Sequence, residues 1–257
     1  MNKRLIISLA TMAFIVPNTY ASESYCCCCQ QTHIVDTHDS NDDHDDHGDH
    51  FEYGAQDTWI FTSGLMQSPI NIDADTSIVA STIYDIVLNY DNLIYAVEDT
   101  GHAVEAVVTG TATLMNREFN LLQAHFHSPS EHTINGEYFD LEAHFVHSSD
   151  NGRLAVIGVL FNVGEANPQL DEILTRLANE DHDVSEFDIM NLLPDNLSYY
   201  HYLGSLTTPP LTENVEWYVL ENTLEISSEQ LEAINVYYIN NNRDIQQLND
   251  RTVIYTP

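Results

Sequence analysis

The chain contains very few basic residues. Only 7 Lys and Arg stand against 40 Asp and Glu, which gives a formal net charge of −33, and the single lysine is Lys3. A chain this acidic repels phosphate backbones and anionic membrane surfaces, so its composition excludes nucleic acid as a partner. Two interpretations of the acidity stay open. One is an ordinary acidic exported protein, and the other is adaptation to high salt, where screening reduces self-repulsion.

The sequence also lacks an apolar run long enough to span a bilayer. The run from Leu5 to Val16 is too short for a comfortable membrane span. It follows the positive charges of Lys3 and Arg4 and precedes Thr19-Tyr20-Ala21, which offers small residues at the usual cleavage positions. Residues 1–21 are therefore predicted to be a secretory signal peptide. We expect export to a periplasm or beyond, with no membrane span after processing.

Cysteine is absent outside Cys26-Cys27-Cys28-Cys29, and four adjacent cysteines are too local to crosslink a core. Residues 36–50 then read DTHDSNDDHDDHGDH, a composition that cannot bury apolar surface. Residues 22–50 are thus predicted to form a disordered tail. Its imidazoles could bind extra Zn²⁺, Cu²⁺ or Ni²⁺, and the alternative is a solubilising linker without a ligand. The histidines concerned are His33, His38, His44, His47 and His50.

Residues 51–257 are predicted to form one domain, because they contain no internal repeat and no linker rich in Pro or Gly. Tyr, Ile, Val, Thr and Phe are common there, and no long helical periodicity is present. Such a composition favours a mostly β fold.

Two histidine-containing segments alternate polar and apolar residues in the way a β-strand does. On such a strand Gln123, His125 and His127 share one face. Glu142 and His144 share a face of the second segment, and residues 134–137 (INGE) are predicted to form a turn between the two. If the two strands are neighbours, the three histidines come together.

Three neutral imidazoles leave the fourth position of a tetrahedral zinc ion open, which is the arrangement of a catalytic site. Gln123 and Glu142 are predicted to accept the outer ring N–H groups and so fix the histidine tautomers. Two alternatives remain at this point. An isolated His-x-His is often a pair of ordinary strand histidines, and a metallo-hydrolase could use the same pair with His132, although such motifs usually contain an aspartate as well.

Motifs along nearly the whole domain resemble the α-class carbonic anhydrases, in particular their exported bacterial members. Many matches in the right order make this resemblance specific. They are Tyr53-Gly54, Trp59, residues 67–72 (QSPINI), Gly101-His102-Ala103, residues 123–132 (QAHFHSPSEH), residues 142–147 (EAHFVH), residues 204–210 (GSLTTPP), Trp217 and Arg243 with residues 246–249 (QQLN) and Arg251.

The resemblance implies a fold and a reaction. The fold is a large, twisted, mainly antiparallel central sheet with short peripheral helices. The reaction is the reversible hydration of CO₂ to bicarbonate and a proton, in which zinc-bound hydroxide attacks CO₂ and a histidine shuttles the proton. The implied ligands of the Zn²⁺ ion are His125, His127 and His144. A homodimer is an assembly common among such relatives.

Further residue roles follow from the same resemblance. Thr207 would donate its hydroxyl proton to Glu131 and accept a hydrogen bond from the attacking oxygen, and His102 would be the proton shuttle. Thr208 would line the bicarbonate site, Tyr53 would order the water chain, and a backbone carbonyl near Asn241 would receive the N–H of His127. An apolar wall for CO₂ would consist of Val146, Val156, Leu206 and Trp217.

The sequence departs from the family pattern at two places. Many exported relatives close a disulfide at positions that here hold Thr62 and Leu211, so that crosslink is absent. Glu105 stands near His102 where a neutral amide is more usual, and it adds negative charge to the cleft.

Three other classes of function make expectations that differ from those of the enzyme. A non-catalytic relative would be expected to have lost a zinc histidine, and all three are present. A metal-storage protein centred on the tail would bind several ions loosely and would not hydrate CO₂. A zinc esterase would need an ester pocket, for which the sequence offers no motif.

Overall fold

The computed structural model describes residues 51–59 and 64–257. In these ranges the strands are β1 (Asn71–Ile72), β2 (Ile78–Val79), β3 (Val87–Asp99), β4 (Val104–Leu114), β5 (Arg117–His127), β6 (Thr133–Ile134), β7 (Leu141–Ser148), β8 (Leu154–Val163), β9 (Ser185–Glu186), β10 (Tyr199–Ser205), β11 (Glu213–Leu220), β12 (Leu224–Ile226) and β13 (Ile254–Thr256). The helices are α1 (Pro168–Asn179), α2 (Ser228–Tyr237) and two 3₁₀ helices, Tyr53–Thr58 and Ile189–Leu192.

One large sheet organises the protein. Its strands follow the order β2-β13-β10-β11-β8-β7-β5-β4-β3-β9, and β12 pairs with β8 to complete 11 strands. Strands β2 and β13, β8 and β11, and β8 and β12 pair in parallel, whereas the other neighbours are antiparallel. The prediction of a large, mainly antiparallel sheet with short helices is therefore confirmed.

The centre of the sheet is buried on both faces. All eight residues of β7 except the last, and β8 from Ala155 to Phe161, are buried. The back face packs into one apolar cluster with side chains of α1, and this cluster includes Phe126, Phe145, Ile157, Leu170 and Ile173. Because the cluster fixes the strands from behind, the opposite face is free to carry polar side chains.

Local signals in the sequence fix the helix ends. The side chain of Asn167 accepts the N–H groups of Gln169 and Leu170, and Pro168 occupies the first position of α1. At α2, Ser227 and Gln230 form a reciprocal capping box. Gln230 also donates to the backbone oxygen of Asn167 at 2.7 Å, so the two helix starts are joined.

Residues 134–137 form the predicted turn. Asn135 and Gly136 have φ angles of 54° and 83°, and Ile134 pairs with Glu137 across the turn. These two residue types adopt positive φ at little cost, which explains the tight reversal. The turn brings the chain from β5 back along its neighbour β7.

The arginines of the described part all contact internal acceptors. Arg117 and Arg153 both bind the buried carboxylate of Glu216. The other three donate to backbone carbonyls, namely Arg176 to Asp183, Arg243 to Ser68 and Arg251 to Leu203. Within the same ranges, no helix has the length and apolar character needed to cross a membrane.

Candidate metal centre

Three histidines meet on the front face of the sheet, opposite the apolar cluster. Strands β5 and β7 pair so that His125 lies directly across from His144, and His127 lies across from Glu142. The ring centroids of His127 and His144 are 4.6 Å apart, and that of His125 is 5.0 Å from His127 and 5.1 Å from His144. The strand alternation in the sequence thus leads to a compact group of imidazoles.

Each imidazole is held by a hydrogen bond at its outer nitrogen. His125 Nδ1 lies 2.9 Å from Gln123 Oε1, and His144 Nε2 lies 2.8 Å from Glu142 Oε1. His127 Nδ1 lies 2.6 Å from the backbone oxygen of Asn241. Since these oxygens can only accept, the outer nitrogens carry the protons. The lone pairs of His125 Nε2, His127 Nε2 and His144 Nδ1 then point at one another.

These three inner nitrogens fit a tetrahedral metal ion. His125 Nε2 and His144 Nδ1 are 3.3 Å apart, close to the roughly 3.3 Å expected between two nitrogens that each lie about 2.0–2.1 Å from one zinc. His127 Nε2 is buried and has no hydrogen-bond partner in the part of the chain that the structure describes. Burial, reinforced at His125 by the neighbouring imidazoles, lowers the pKa of both His125 and His127, which keeps them neutral as ligands must be. The group could therefore bind a metal.

A second group, consisting of His132, Glu142 and His144, also brings possible ligand atoms together. Here hydrogen bonds account for the geometry, because Glu142 Oε1 lies 2.8 Å from both His132 Nδ1 and His144 Nε2. His132 Nε2 in turn lies 2.7 Å from the hydroxyl of Tyr202. His132 therefore holds Glu142 in place by a hydrogen bond. It is not the additional metal ligand that the metallo-hydrolase alternative requires.

The groups around Glu142 stabilise it as a buried carboxylate. Its Oε2 accepts the backbone N–H groups of Glu131 and His132, each at 2.8 Å. Burial alone would raise its pKa, but His132 and His144 hold the pKa of Glu142 well below its ordinary value, and the Glu142 carboxylate in turn overcomes burial and raises the pKa of His144, unlike those of His125 and His127. Gly158 of β8 leaves the space for this carboxylate, since a Cβ there would come within 3.0 Å of Glu142 Oε1.

The predicted hydrogen bond between Thr207 and Glu131 is not formed in the structure. Both residues are buried, but Glu131 Oε1 accepts the backbone N–H of Arg243 at 2.7 Å. Its Oε2 has no hydrogen-bond partner among the described residues and lies 3.7 Å from His127 Nε2 and 3.9 Å from His144 Nδ1. The carboxylate faces the polar ring nitrogens, and this position leaves the Thr207 hydroxyl without its predicted acceptor.

An apolar row borders the histidines. Val156 of β8 lies across from Val146 on one side and from Trp217 on the other. The ring of Trp217 lies 4.8 Å from that of His144, and its indole N–H donates to the backbone oxygen of Ser205. The structure thus places three of the four predicted wall residues together. Leu206 and Thr208 lie in the adjoining turn, where they bond through their backbones to Thr212 and Leu211.

His102 is half-buried and is held by an aromatic ring that the sequence analysis missed. The Phe51 ring stacks on the His102 ring with centroids 3.8 Å apart and an interplanar angle of 19°. Phe51 also contacts Tyr53 and Trp59, at 5.5 and 5.1 Å. The close spacing of these three aromatic residues was the available signal. The Asn241 side chain donates to the His102 backbone oxygen at 3.1 Å, so one residue links His102 with His127.

Several predictions fall outside the described residues. They are the signal peptide in residues 1–21, the tail in residues 22–50 with its cysteines and histidines, and the substitution of a family cysteine by Thr62.

The chain is similar to known proteins in both sequence and structure. A family model described as eukaryotic-type carbonic anhydrase matches residues 54–257. A carbonic anhydrase of Pectobacterium carotovorum is 38% identical over 200 residues, which cover 75% of this chain and 81% of that protein. Dioscorin dioA3 of Dioscorea japonica is 36% identical over 205 residues, covering 75% and 76%. The solved α-carbonic anhydrase of Thermovibrio ammonificans, in complex with the inhibitor sulfanilamide, matches with a TM-score of 0.70 and 39% identity, covering 74% and 87%.

Proposed function

Because the chain belongs to the eukaryotic-type, or α-class, carbonic anhydrase family and is a carbonic anhydrase, we propose that it hydrates CO₂ at a zinc ion held by His125, His127 and His144. CO₂ and bicarbonate are small molecules, in keeping with a site built from a few side chains. The observation that carries the proposal is the convergence of three inner ring nitrogens, with His127 Nε2 buried and not hydrogen-bonded to any described residue.

When bound, zinc lowers the pKa of a water ligand to about 7 and so supplies hydroxide at neutral pH, a value established for carbonic anhydrases themselves. The protein's own contribution is to orient the ligands. Gln123, Glu142 and the backbone oxygen of Asn241 each accept an outer N–H. This fixes the tautomers, so that all three lone pairs point inward.

The substrate is positioned by groups of two kinds. Val146, Val156, Leu206 and Trp217 offer a small apolar molecule a surface beside the histidines, and Thr208 lines the bicarbonate side. Glu131 Oε2 is a buried acceptor without a hydrogen-bond partner among the described residues, and the Thr207 hydroxyl is the group proposed to donate to it when substrate is bound. The Thr207 oxygen would then be left to accept a hydrogen bond from the attacking oxygen, which sets its direction of attack.

The proton leaves by way of His102. His102 is proposed to take the proton at one ring nitrogen and release it to buffer, a role that imidazole side chains commonly fill. Tyr53 is proposed to order the water between the site and His102. Phe51 holds the ring from one side.

Four further proposals concern the whole protein. Residues 1–21 direct export to the periplasm or beyond, and residues 51–257 form the single catalytic domain. Residues 22–50 capture extra divalent metal. Two copies of the chain associate as a homodimer.

The decisive experiment is stopped-flow CO₂ hydration by the purified chain, with zinc counted in the same sample. We expect one zinc per site, rapid hydration and inhibition by a sulfonamide. Loss of both zinc and activity after dialysis against a chelator, and recovery of both on adding Zn²⁺, is also expected. Stoichiometric zinc without CO₂ hydration would contradict the proposal and would indicate a non-catalytic member of the family.

A further inference from the structure

Glu105 of β4 lies beside the candidate metal centre. It pairs across the strands with His125 of β5. Side chains of such a pair stand on the same face of the sheet, with Cβ atoms about 4.5–5.5 Å apart. The Glu105 side chain therefore shares the front face with a candidate zinc ligand.

No cation balances this carboxylate among the residues that the structure describes. The five arginines there contact other acceptors, and no ion pair of Glu105 is formed. Its neighbour on the other side is a second acid, because Glu98 of β3 pairs directly with Glu105. Glu105 is half-buried. An uncompensated acid in this position is costly, which suggests that it serves the site.

We propose that Glu105 is a specificity-determining residue that rejects competing anions from the metal centre while leaving access to neutral CO₂. This inference rests on the proposed function. Small anions inhibit an open zinc position by acting as its fourth ligand. A carboxylate on the neighbouring strand repels each of them, and CO₂ carries no net charge for it to act on.

The effect is local and does not come from the net charge of −33 as a whole. Exposed charges more than about 10 Å away are largely screened at 0.1 M salt. Glu105 is half-buried and directly across from His125, so its field at the metal position is screened much less. A comparison of two carboxylates on neighbouring strands can separate the two effects.

The test uses Glu105→Gln, with Glu118→Gln as the matched control. Glu118 is exposed on β5, seven positions from His125 and thus about 23 Å along the strand. The same charge is removed in both variants. Glu105→Asp keeps the charge at the site.

Azide and thiocyanate binding is measured on the Co²⁺-substituted proteins by visible absorption at pH 9, corrected for competition by hydroxide, which the same spectra report. We expect Glu105→Gln to bind both anions about 5- to 10-fold more tightly than the natural chain. Glu118→Gln and Glu105→Asp should stay within twofold of it. Neutral imidazole should bind the natural chain and Glu105→Gln alike.

Unchanged anion affinity in Glu105→Gln would overturn the inference, and so would an equal gain in Glu118→Gln. Tighter binding of imidazole as well as the anions would also overturn it, because steric release would then explain the gain. The spectroscopic readout does not depend on turnover. If the cobalt proteins bind anions as expected but the zinc protein does not hydrate CO₂, the proposed function fails, whereas the repulsion of anions by Glu105 is still supported.

Discussion

The front and back faces of β5, β7 and β8 differ in the chemistry of their buried side chains. On the front, polar groups gather, and His127 Nε2 and Glu131 Oε2 are buried without hydrogen-bond partners among the described residues. On the back, Phe126, Phe145 and Ile157 pack in a continuous apolar cluster, and His147 is its polar exception, with Nδ1 likewise unpartnered within the described ranges. The residues alternate along the same strands, so one backbone serves both faces. The back face therefore supplies the stability that holds the polar groups of the front face in place.

The largest expected effect is on the front face, from His127→Ala. This variant loses a ligand, so its zinc affinity should fall by more than the roughly 10- to 100-fold typical for loss of a ligand's hydrogen-bond partner. CO₂ hydration should fall to background. Competition with a chromophoric chelator measures the affinity, and stopped-flow measures the activity.

The metal-free form of His127→Ala also tests whether the front face contributes less to stability than the back face. Its free energy of unfolding should change less than that of Phe145→Ala, because His127 Nε2 is buried without a hydrogen-bond partner among residues 51–59 and 64–257. A larger loss of stability in metal-free His127→Ala would mean that the front face also holds the fold together.

On the back face, Phe145→Ala should lower the free energy of unfolding by about 3–5 kcal/mol, since Phe145 is fully buried in the apolar cluster. Denaturant titration of the metal-free protein measures the loss. Among molecules that remain folded and zinc-loaded, kcat/KM for CO₂ should stay within twofold. A tenfold fall in kcat/KM with zinc still bound would show that the two faces are not independent.

The back face of β7 carries a buried histidine, His147, which predicts a pH dependence of stability. His147 is fully buried with Nε2 2.7 Å from the Tyr90 hydroxyl, and burial lowers its pKa to about 4. Between that pH and the unfolded value of 6.5, the unfolded chain binds more protons than the folded one. Stability therefore rises with pH across this window. The same contribution, about 3 kcal/mol in total, is lost as the pH falls through the window.

Comparison of the natural chain with His147→Gln isolates this contribution. The difference in unfolding free energy between the two proteins should vary from pH 4 to pH 6.5 and be constant above pH 7. The other ionisable groups are common to both and cancel in the difference. A difference that does not vary with pH would show that His147 accepts a proton in the folded state.

Much of the site could be predicted from local pattern because a strand fixes which side chains share a face. Gln123, His125 and His127 required only alternation, and the turn at Asn135-Gly136 required only the positive-φ preference of these residues. The bond from His127 to the backbone oxygen of Asn241 joins residues 114 positions apart, and only the family resemblance indicated it. The stack of Phe51 on His102 brings together residues far apart in the sequence, which no local pattern specifies.

The smallest expected effect concerns that stack, at the edge of the front face. An aromatic pair contributes about 0.5–1.5 kcal/mol beyond its buried area, which corresponds to about a 2- to 12-fold change in the population of one ring orientation. Phe51→Ala should therefore lower kcat for CO₂ hydration several-fold in dilute buffer, where proton transfer limits the rate, and leave kcat/KM unchanged. Added imidazole buffer should restore kcat, and Tyr138→Ala, which removes an exposed ring, should have no effect.

The double variant Phe51→Ala/His102→Ala completes the double-mutant cycle. If Phe51 acts through His102, the double variant is no slower than His102→Ala alone, whereas an additive loss would assign Phe51 to the stability of the front face.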